Sequence, residues 1–305
     1  MVTAKISTEP ENGLEIYCLR LQNSYLKVIP EQGCKIIEVT LHSQQVIKVQ
    51  GNYPDLQNDP LYQSCFLAPF PNRIAKGEYS FENQEYSLKI NENDRGHALH
   101  GLFFNRPFRF IDKKEDMNQE EAVITFQNSL SKDEFQGYPF ALQVEIQLTL
   151  GIKELKIQVS ATNKDERKLP YGIGWHPYFL SKGKIDNSKL ILPSTEIMEF
   201  SDRDKMQLIP TGNLIPFEEM KHNLLGATQL DTCFLNKESK SVVFENLEIF
   251  MDEKMKYLQI YTPDDRESIA IEPMSCAPDS FNNQLGLITL QPGQKVIHTF
   301  GVKLL

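Results

Sequence analysis

Between residues 141 and 163 the chain reads ALQVEIQLTLGIKELKIQVSATN, with an apolar residue at almost every second position. Leu142, Val144, Ile146, Leu148 and Leu150 alternate with polar neighbours. A short turn containing Gly151 follows, and Leu155, Ile157 and Val159 resume the alternation. Successive side chains of an extended chain point to opposite faces, so a period of two predicts a hairpin with one buried face. GEYSFENQEYSLKI (77–90) reads the same way, with Asn83 and Gln84 at its turn. SVVFENLEIFM (241–251), YLQIYTP (257–263), ESIAIEP (267–273) and KVIHTFGVKLL (295–305) supply further strands. No apolar period of 3.6 is sustained over a helix length, and short pieces around residues 54–65 and 222–227 are the best helical candidates. KEDMNQEE (114–121) reads as a solvated charged loop. No Gly/Ser- or Pro-rich linker divides the chain and no segment repeats at a fixed period. The expectation is therefore all-β, a single large antiparallel β-sandwich spanning 1–305.

Composition narrows the function. Of the 305 residues, 40% are hydrophobic and 24% charged, as in a soluble globular protein. The formal net charge of -9 argues against a nucleic-acid or anionic-membrane partner, either of which needs a basic stripe. No apolar run approaches the roughly 20 residues that span a bilayer. The start, MVTAKISTEPENG, lacks the apolar core of a signal peptide, so a cytoplasmic protein is expected. Cys18, Cys34, Cys65, Cys233 and Cys276 are odd in number and form no C-x-x-C pair, which argues against a disulfide framework or a thiolate zinc site. They read as small buried apolar residues, with Cys276 weighed and set aside as a reactive thiol because no histidine is near it in sequence.

Candidate chemistry gathers at a few points. In YGIGWHPYF (171–179), period two puts Tyr171, Ile173 and Trp175 on one bulky face and Gly172, Gly174 and His176 on the other. The second face carries no side chain until it reaches an imidazole, as if cleared for a ligand. Pro177 biases His176 towards extended backbone. In SIAIEPMSCAPDSFNN, Ser268, Ala270 and Glu272 likewise share a face, and Pro273 is expected to end that strand. Two strand ends, each with a cleared face, a proton-transfer residue and a proline, read as two walls of one pocket holding a general acid and a general base. His97 and His100, in DRGHALHGLFFNRPF, are too few for a zinc site, and the glycine after His100 suggests a turn that projects the imidazole into a cleft. His42, His222 and His298 stand alone and read as structural or surface residues. Arg73, in LAPFPNRIAKGEYSF, can offer several donors from a loop. Asp231, in QLDTCFL, can accept two adjacent hydroxyls or cap a turn.

Taken together, NRIAKGEYSF, HALHG, GIGWHPYF, DTCF and IEP stand in the order and approximate spacing of the aldose 1-epimerase (mutarotase) family, which this chain resembles over nearly its whole length. The resemblance implies a galactose mutarotase-type sandwich that interconverts the α and β anomers of a free sugar without metal or organic cofactor; a monomer or homodimer is expected. It also implies that Glu272 is the general base, His176 the general acid, and His100 a second histidine near the ring oxygen and C1. Arg73 and Asp231 match substrate-binding positions. His97 is a candidate contact beside them, and Trp175 at most a wall of the pocket. The glutamate is followed here by PMSCAPDSFNN rather than the Thr-Gln of galactose mutarotases, which looks more like a branch of less certain substrate. A 6-phosphorylated or sulfonated hexose would need a further cationic group, for which Arg95, Arg106 and Arg109 are candidates. The competing readings are a non-catalytic carbohydrate-binding sandwich, which would not need both His176 and Glu272, and a glycoside hydrolase or lyase. Canonical hydrolysis would need a carboxylate pair, such as Asp231 with Glu272.

Overall fold

The computed structural model describes residues 4–51, 53–116, 120–200, 207–218, 223–238 and 240–305. Every strand pairing among them is antiparallel. A 13-stranded sheet starts as a meander from Ala4–Glu11 to Gln44–Lys48. It continues through Tyr178–Leu180, Ser268–Met274, Tyr257–Tyr261 and Asp231–Leu235 to Glu196–Phe200 and Pro210–Pro216. An 8-stranded sheet runs from Arg109–Asp116 through Glu121–Leu130, Leu142–Leu150, Glu154–Asn163 and Lys295–Leu304 to the short strand Leu190–Ile191. One continuous apolar core, from Ala4 to Val302, draws on both sheets, so the sandwich is the architecture observed.

The strongest alternation gives the strongest hairpin. Leu142↔Asn163 through Leu150↔Leu155 pair without interruption, and Gly151 N donates to Glu154 O at 2.8 Å. Leu142, Val144, Ile146, Leu148, Leu155, Ile157 and Val159 are all buried in the core. Full burial of each such side chain is worth about 1.5–3 kcal/mol, and a slip of one residue would expose the whole set.

Several expectations are corrected. The turn between Glu78–Phe81 and Gln84–Ser87 sits on Glu82 and Asn83, both with positive φ, so Gln84 opens the second strand. The charged stretch 114–121 is strand at both ends: Arg109–Asp116 pairs with Glu121–Leu130 and Glu120 lies in a turn, while residues 117–119 lie outside the described residues. It reads as a loop because neither face of this edge strand is apolar. Its charges instead reach the edge of the other sheet, Glu115 Oε1 accepting from Ile6 N at 2.7 Å and Lys113 Nζ donating to Ile6 O at 3.2 Å. The candidate helix at 54–65 is a 3-10 segment, Tyr53–Asn58, and the only α-helix among the described residues is Ser280–Asn283. Residues 223–227 carry no helix, and position 222, with its histidine, is outside the described residues.

The segment 171–179 is not one strand but three short ones, Leu169–Tyr171, Gly174–Trp175 and Tyr178–Leu180. Trp175 is no pocket wall. It is wholly buried between Phe66 and Phe300. Nor do the glycines clear space for a ligand. A Cβ at Gly172 would lie 2.4 Å from Cys276 Sγ, and one at Gly174 2.8 Å from Pro71 Cβ, so their missing side chains admit protein atoms. Pro273 does not end its strand, which runs from Ser268 to Met274. Cys276 is buried with its thiol pushed up to about 11 by desolvation, far from a reactive thiolate.

His298 sits in the core opposite Val159, with neither ring nitrogen bonded to a protein group. Burial holds its pKa down to about 4, against the opposing pull of Asp252. The unfolded chain therefore takes up this proton first, and the stability tied to the neutral ring is lost as pH falls from the ordinary histidine value towards 4. His298→Leu removes that penalty. Its advantage over the wild type in urea unfolding is expected to be about 2 kcal/mol larger at pH 5 than at pH 8. An advantage independent of pH would show that this histidine does not titrate on unfolding.

Candidate active site

The register of the large sheet brings the two proton-transfer candidates together. Strands Tyr178–Leu180 and Ser268–Met274 pair as Leu180↔Ser268, Phe179↔Ile269 and Tyr178↔Ala270, and Gly174↔Met274 continues the same register beyond a gap. Within that gap His176 faces Glu272, each followed by a proline with no N–H to continue the ladder. His176 Nε2 lies 3.3 Å from Glu272 Oε1. On the other flank Glu272 pairs with Gln259, and Asp231 pairs with Tyr261. Gln259 Nε2 donates to Asp231 Oδ1 at 2.6 Å, so one face of adjacent strands presents His176, Glu272, Gln259 and Asp231 in a row. The opposite face, with Ile269, Ile271, Leu258 and Ile260, is core.

Loops close the site from the front. His100 takes φ 63 and Gly101 φ 76, the tight turn expected, and a Cβ at Gly101 would strike Ala68 O at 2.2 Å. The His100 ring meets His176 edge-on, with centroids 5.4 Å apart, and packs on Tyr62 at 4.5 Å. Tyr178 stacks on His176 at 5.1 Å with planes 15° apart. Arg73 is held by Glu92 in a two-pronged pair, Nε to Oε2 and Nη2 to Oε1, both 2.8 Å, and its Nη1 donates to Asn72 Oδ1 at 3.2 Å. His176, Glu272, His100, Arg73 and Asp231 thus line one hollow of about 240 Å³, with Gln259, Tyr62, Tyr178, Tyr261, Glu92 and Arg95 beside them. That is below the roughly 300–1,000 Å³ of drug-sized sites and suits a single sugar ring. A larger cavity of about 820 Å³ lies beyond Leu99 but contains neither proton-transfer group.

Two expectations fail here. His97 does not line the hollow. Alternation across Ala98–Leu99 turns it away from His100, and its Nδ1 accepts from Lys76 N at 3.0 Å, so the two rings do not form a site together. Nor do the three arginines form the further cationic group that a charged substituent would need. Arg95 reaches the hollow but bonds Glu92 Oε1 at 2.9 Å, Arg106 pairs with Glu134 at 2.7 Å, and Arg109 bonds Gln127. Sequence reasoning missed Gln259, Glu92 and the three tyrosines. The alternation of YLQIYTP does put Gln259 and Tyr261 on one face, but a lone sequence cannot tell a ligand-facing polar side from a solvated one.

Burial dominates the electrostatics. Desolvation pushes the Glu272 carboxyl well above the usual carboxylate range; the Asp231 charge adds to this and Arg73 opposes it. Desolvation pulls His176 down to about 3, with the Lys35 charge acting in the same direction. His100 is pulled well below the ordinary histidine value by burial, then by His176 and Arg73. Both shifts act towards the uncharged forms, carboxylic acid and neutral imidazole. Glu272 Oε2, His176 Nδ1, His100 Nδ1 and Gln259 Oε1 are buried without a protein partner, and each belongs to a residue lining the hollow. Such orphaned groups are unfavourable unless a ligand or solvent meets them.

Known structures place this architecture in a class. A galactose mutarotase-like protein from Clostridium acetobutylicum superimposes with a TM-score of 0.86 at 19% identity, covering 99% of each chain. A galactose 1-epimerase from Lactobacillus acidophilus NCFM does so with a TM-score of 0.80 at 15% identity, covering 99% of this chain and 98% of that one. The fold is galactose mutarotase-like. The aldose 1-epimerase family model matches residues 16–303, and the chain belongs to that family. Among its relatives, YihR of Escherichia coli (strain K12) is 26% identical over 237 residues, 75% of this chain and 74% of that protein. Galactose mutarotase of Rattus norvegicus is 27% identical over 263 residues, 77% of this chain and 71% of that protein.

The electrostatics are open to direct measurement. The ring-nitrogen NMR shifts of His176 and His100 are expected to stay those of neutral imidazole from pH 8 down to pH 5. An imidazolium signature from either ring at pH 6 would refute the assignment.

Proposed function

We propose that this protein is an aldose 1-epimerase acting on an uncharged aldose, with Glu272 as general base and His176 as general acid. The observation that carries the reading is the buried contact between these two groups on the wall of a hollow sized for one sugar ring. Anomer exchange removes the proton of the C1 hydroxyl and delivers one to the ring oxygen, so that the C1–O5 bond opens to the free aldehyde. Rotation about C1–C2 and closure give the other anomer. The two oxygens hang on the same carbon, so groups a hydrogen-bond length apart can address both.

One shared proton suits this chemistry. The resting pair, carboxylic acid with neutral imidazole, has the same proton count as carboxylate with imidazolium. A sugar bound against both needs no proton from solvent: with the shared proton on His176, that ring gives it to O5 as Glu272 takes one from O1, and closure returns both. His100, against the edge of His176, can donate to O5 as charge develops there. Arg73, fixed by Glu92, and Asp231, fixed by Gln259, offer a rigid donor and acceptor for the remaining hydroxyls.

The charge balance favours a neutral sugar over a 6-phosphorylated or sulfonated one. Arg73 and Arg95 both bond Glu92, Asp231 adds a further carboxylate, and Arg106 and Arg109 are engaged with Glu134 and Gln127. A purely binding sandwich has no use for an acid and a base in contact, and the cost of desolvating both supports the catalytic reading.

His176→Asn and Glu272→Gln are each expected to slow α/β exchange by about 10²-fold or more, as lost general acid–base catalysis does. Saturation-exchange NMR over free aldoses and their 6-substituted forms reads this directly. Near wild-type rates in either variant would remove that residue from the mechanism. The proton count also sets the pH dependence. The rate should fall as pH rises through the raised pKa of Glu272, where the shared proton is lost. A rate that climbs steadily with alkali would contradict it.

A further inference from the structure

Lys35 opens the strand Lys35–Leu41 and is 1% exposed, a rare position for an ammonium group. Its Nζ lies 3.7 Å from Asp59 Oδ2, on a carboxylate that is itself almost enclosed. Burying two charges costs about as much as their attraction returns, so the pair is weak evidence for stability as such. Its surroundings suggest another use.

Asp59 begins the loop 59–65, in which Tyr62 (φ 50) and Ser64 (φ 55) take left-handed backbone although neither is glycine. The Asp59 carboxylate braces that shape from within, Oδ1 accepting from Leu61 N at 2.9 Å and Oδ2 from Gln63 N at 2.8 Å. The loop in turn holds the histidines. Ser64 N donates to His176 O at 2.8 Å, and His176 N donates to Cys65 O at 3.0 Å. Tyr178, stacked on the same imidazole, donates its hydroxyl to Leu61 O at 3.2 Å, and Tyr62 packs on His100. Lys35 itself does not line the hollow.

We propose that Lys35 is a positioning residue: its buried ion pair with Asp59 fixes the loop 59–65 in the strained form that orients His176 and His100. The inference rests on reading the hollow as the site of anomer exchange. Around His176 stand Glu272 across the register, His100 at its edge, Tyr178 on its face and Cys65 in the loop, and the Lys35 charge acts against protonation of the ring. Removing the ammonium therefore changes both the aim of the ring and its affinity for a proton. The sugar-holding groups Arg73, Asp231 and Gln259 sit on other elements and should be left in place.

Lys35→Met keeps most of the stem and deletes the charge. It is expected to lower kcat for α/β exchange at least 10-fold with KM within 2-fold, and to move the NMR titration of His176 upward. Lys35→Met combined with Asp59→Asn leaves no unpaired charge buried, so it should fold even if the single variant does not, and show the same kcat loss. A merely structural pair would lower Tm while leaving kcat per folded molecule and the His176 titration unchanged, and that outcome overturns the proposal. If the wild type exchanges no anomers, the reading of the site fails separately. The His176 titration in the two variants then still decides whether Lys35 acts on the ring.

Discussion

A carboxyl group and an imidazole 3.3 Å apart, both cut off from water, set the terms for the structure around them. In water each would take its ordinary charge. In this site burial penalises both charged forms, and the two shifts together favour a carboxylic acid beside a neutral imidazole. That balance survives only if neither group moves relative to the other. The large sheet meets the requirement by setting them opposite one another across a gap in the ladder, held in register by the pairs on either side.

The same strands tie the site to the core. Glu272 alternates with Ile271 and Ile269, and His176 follows Trp175, so each of the two groups lining the hollow is anchored by an immediate neighbour packed on the other side. Pro177 and Pro273 interrupt hydrogen bonding where the two groups face one another, and a proline is tolerated inside a sheet only at such a break. The backbone of His176 is taken up instead by Ser64 and Cys65 of the loop beneath it. His176 is thus held partly by the sheet and partly by a loop whose backbone is bonded from within by the Asp59 carboxylate.

Much of the fold was legible in the chain. The alternation at 142–163 predicts its hairpin because that face has only one place to go, the core. Alternation failed where neither face is apolar, as at Arg109–Asp116, and where a segment is buried on all sides, as at 171–179, since period two then marks nothing. Of the candidate site residues, His176, Glu272, His100, Arg73 and Asp231 do share one hollow, whereas His97 and Trp175 point elsewhere. Gln259 and Glu92 were invisible because a polar residue beside a ligand looks, in sequence, like one beside water.

By itself, then, the sequence determined the all-β architecture and singled out five polar side chains that share one hollow, because periodicity and residue chemistry are local properties of the chain. Tertiary structure alone decided what the glycines of 171–179 admit, which of two histidines three apart reaches the hollow, and where the arginines place their charge. Each of these depends on which distant segment arrives at a given backbone position: Pro71 and Cys276 against the glycines, Lys76 against His97, Glu92 against Arg73. Contacts between segments far apart in the chain leave no period to read, and they appear only once the strands have found their register.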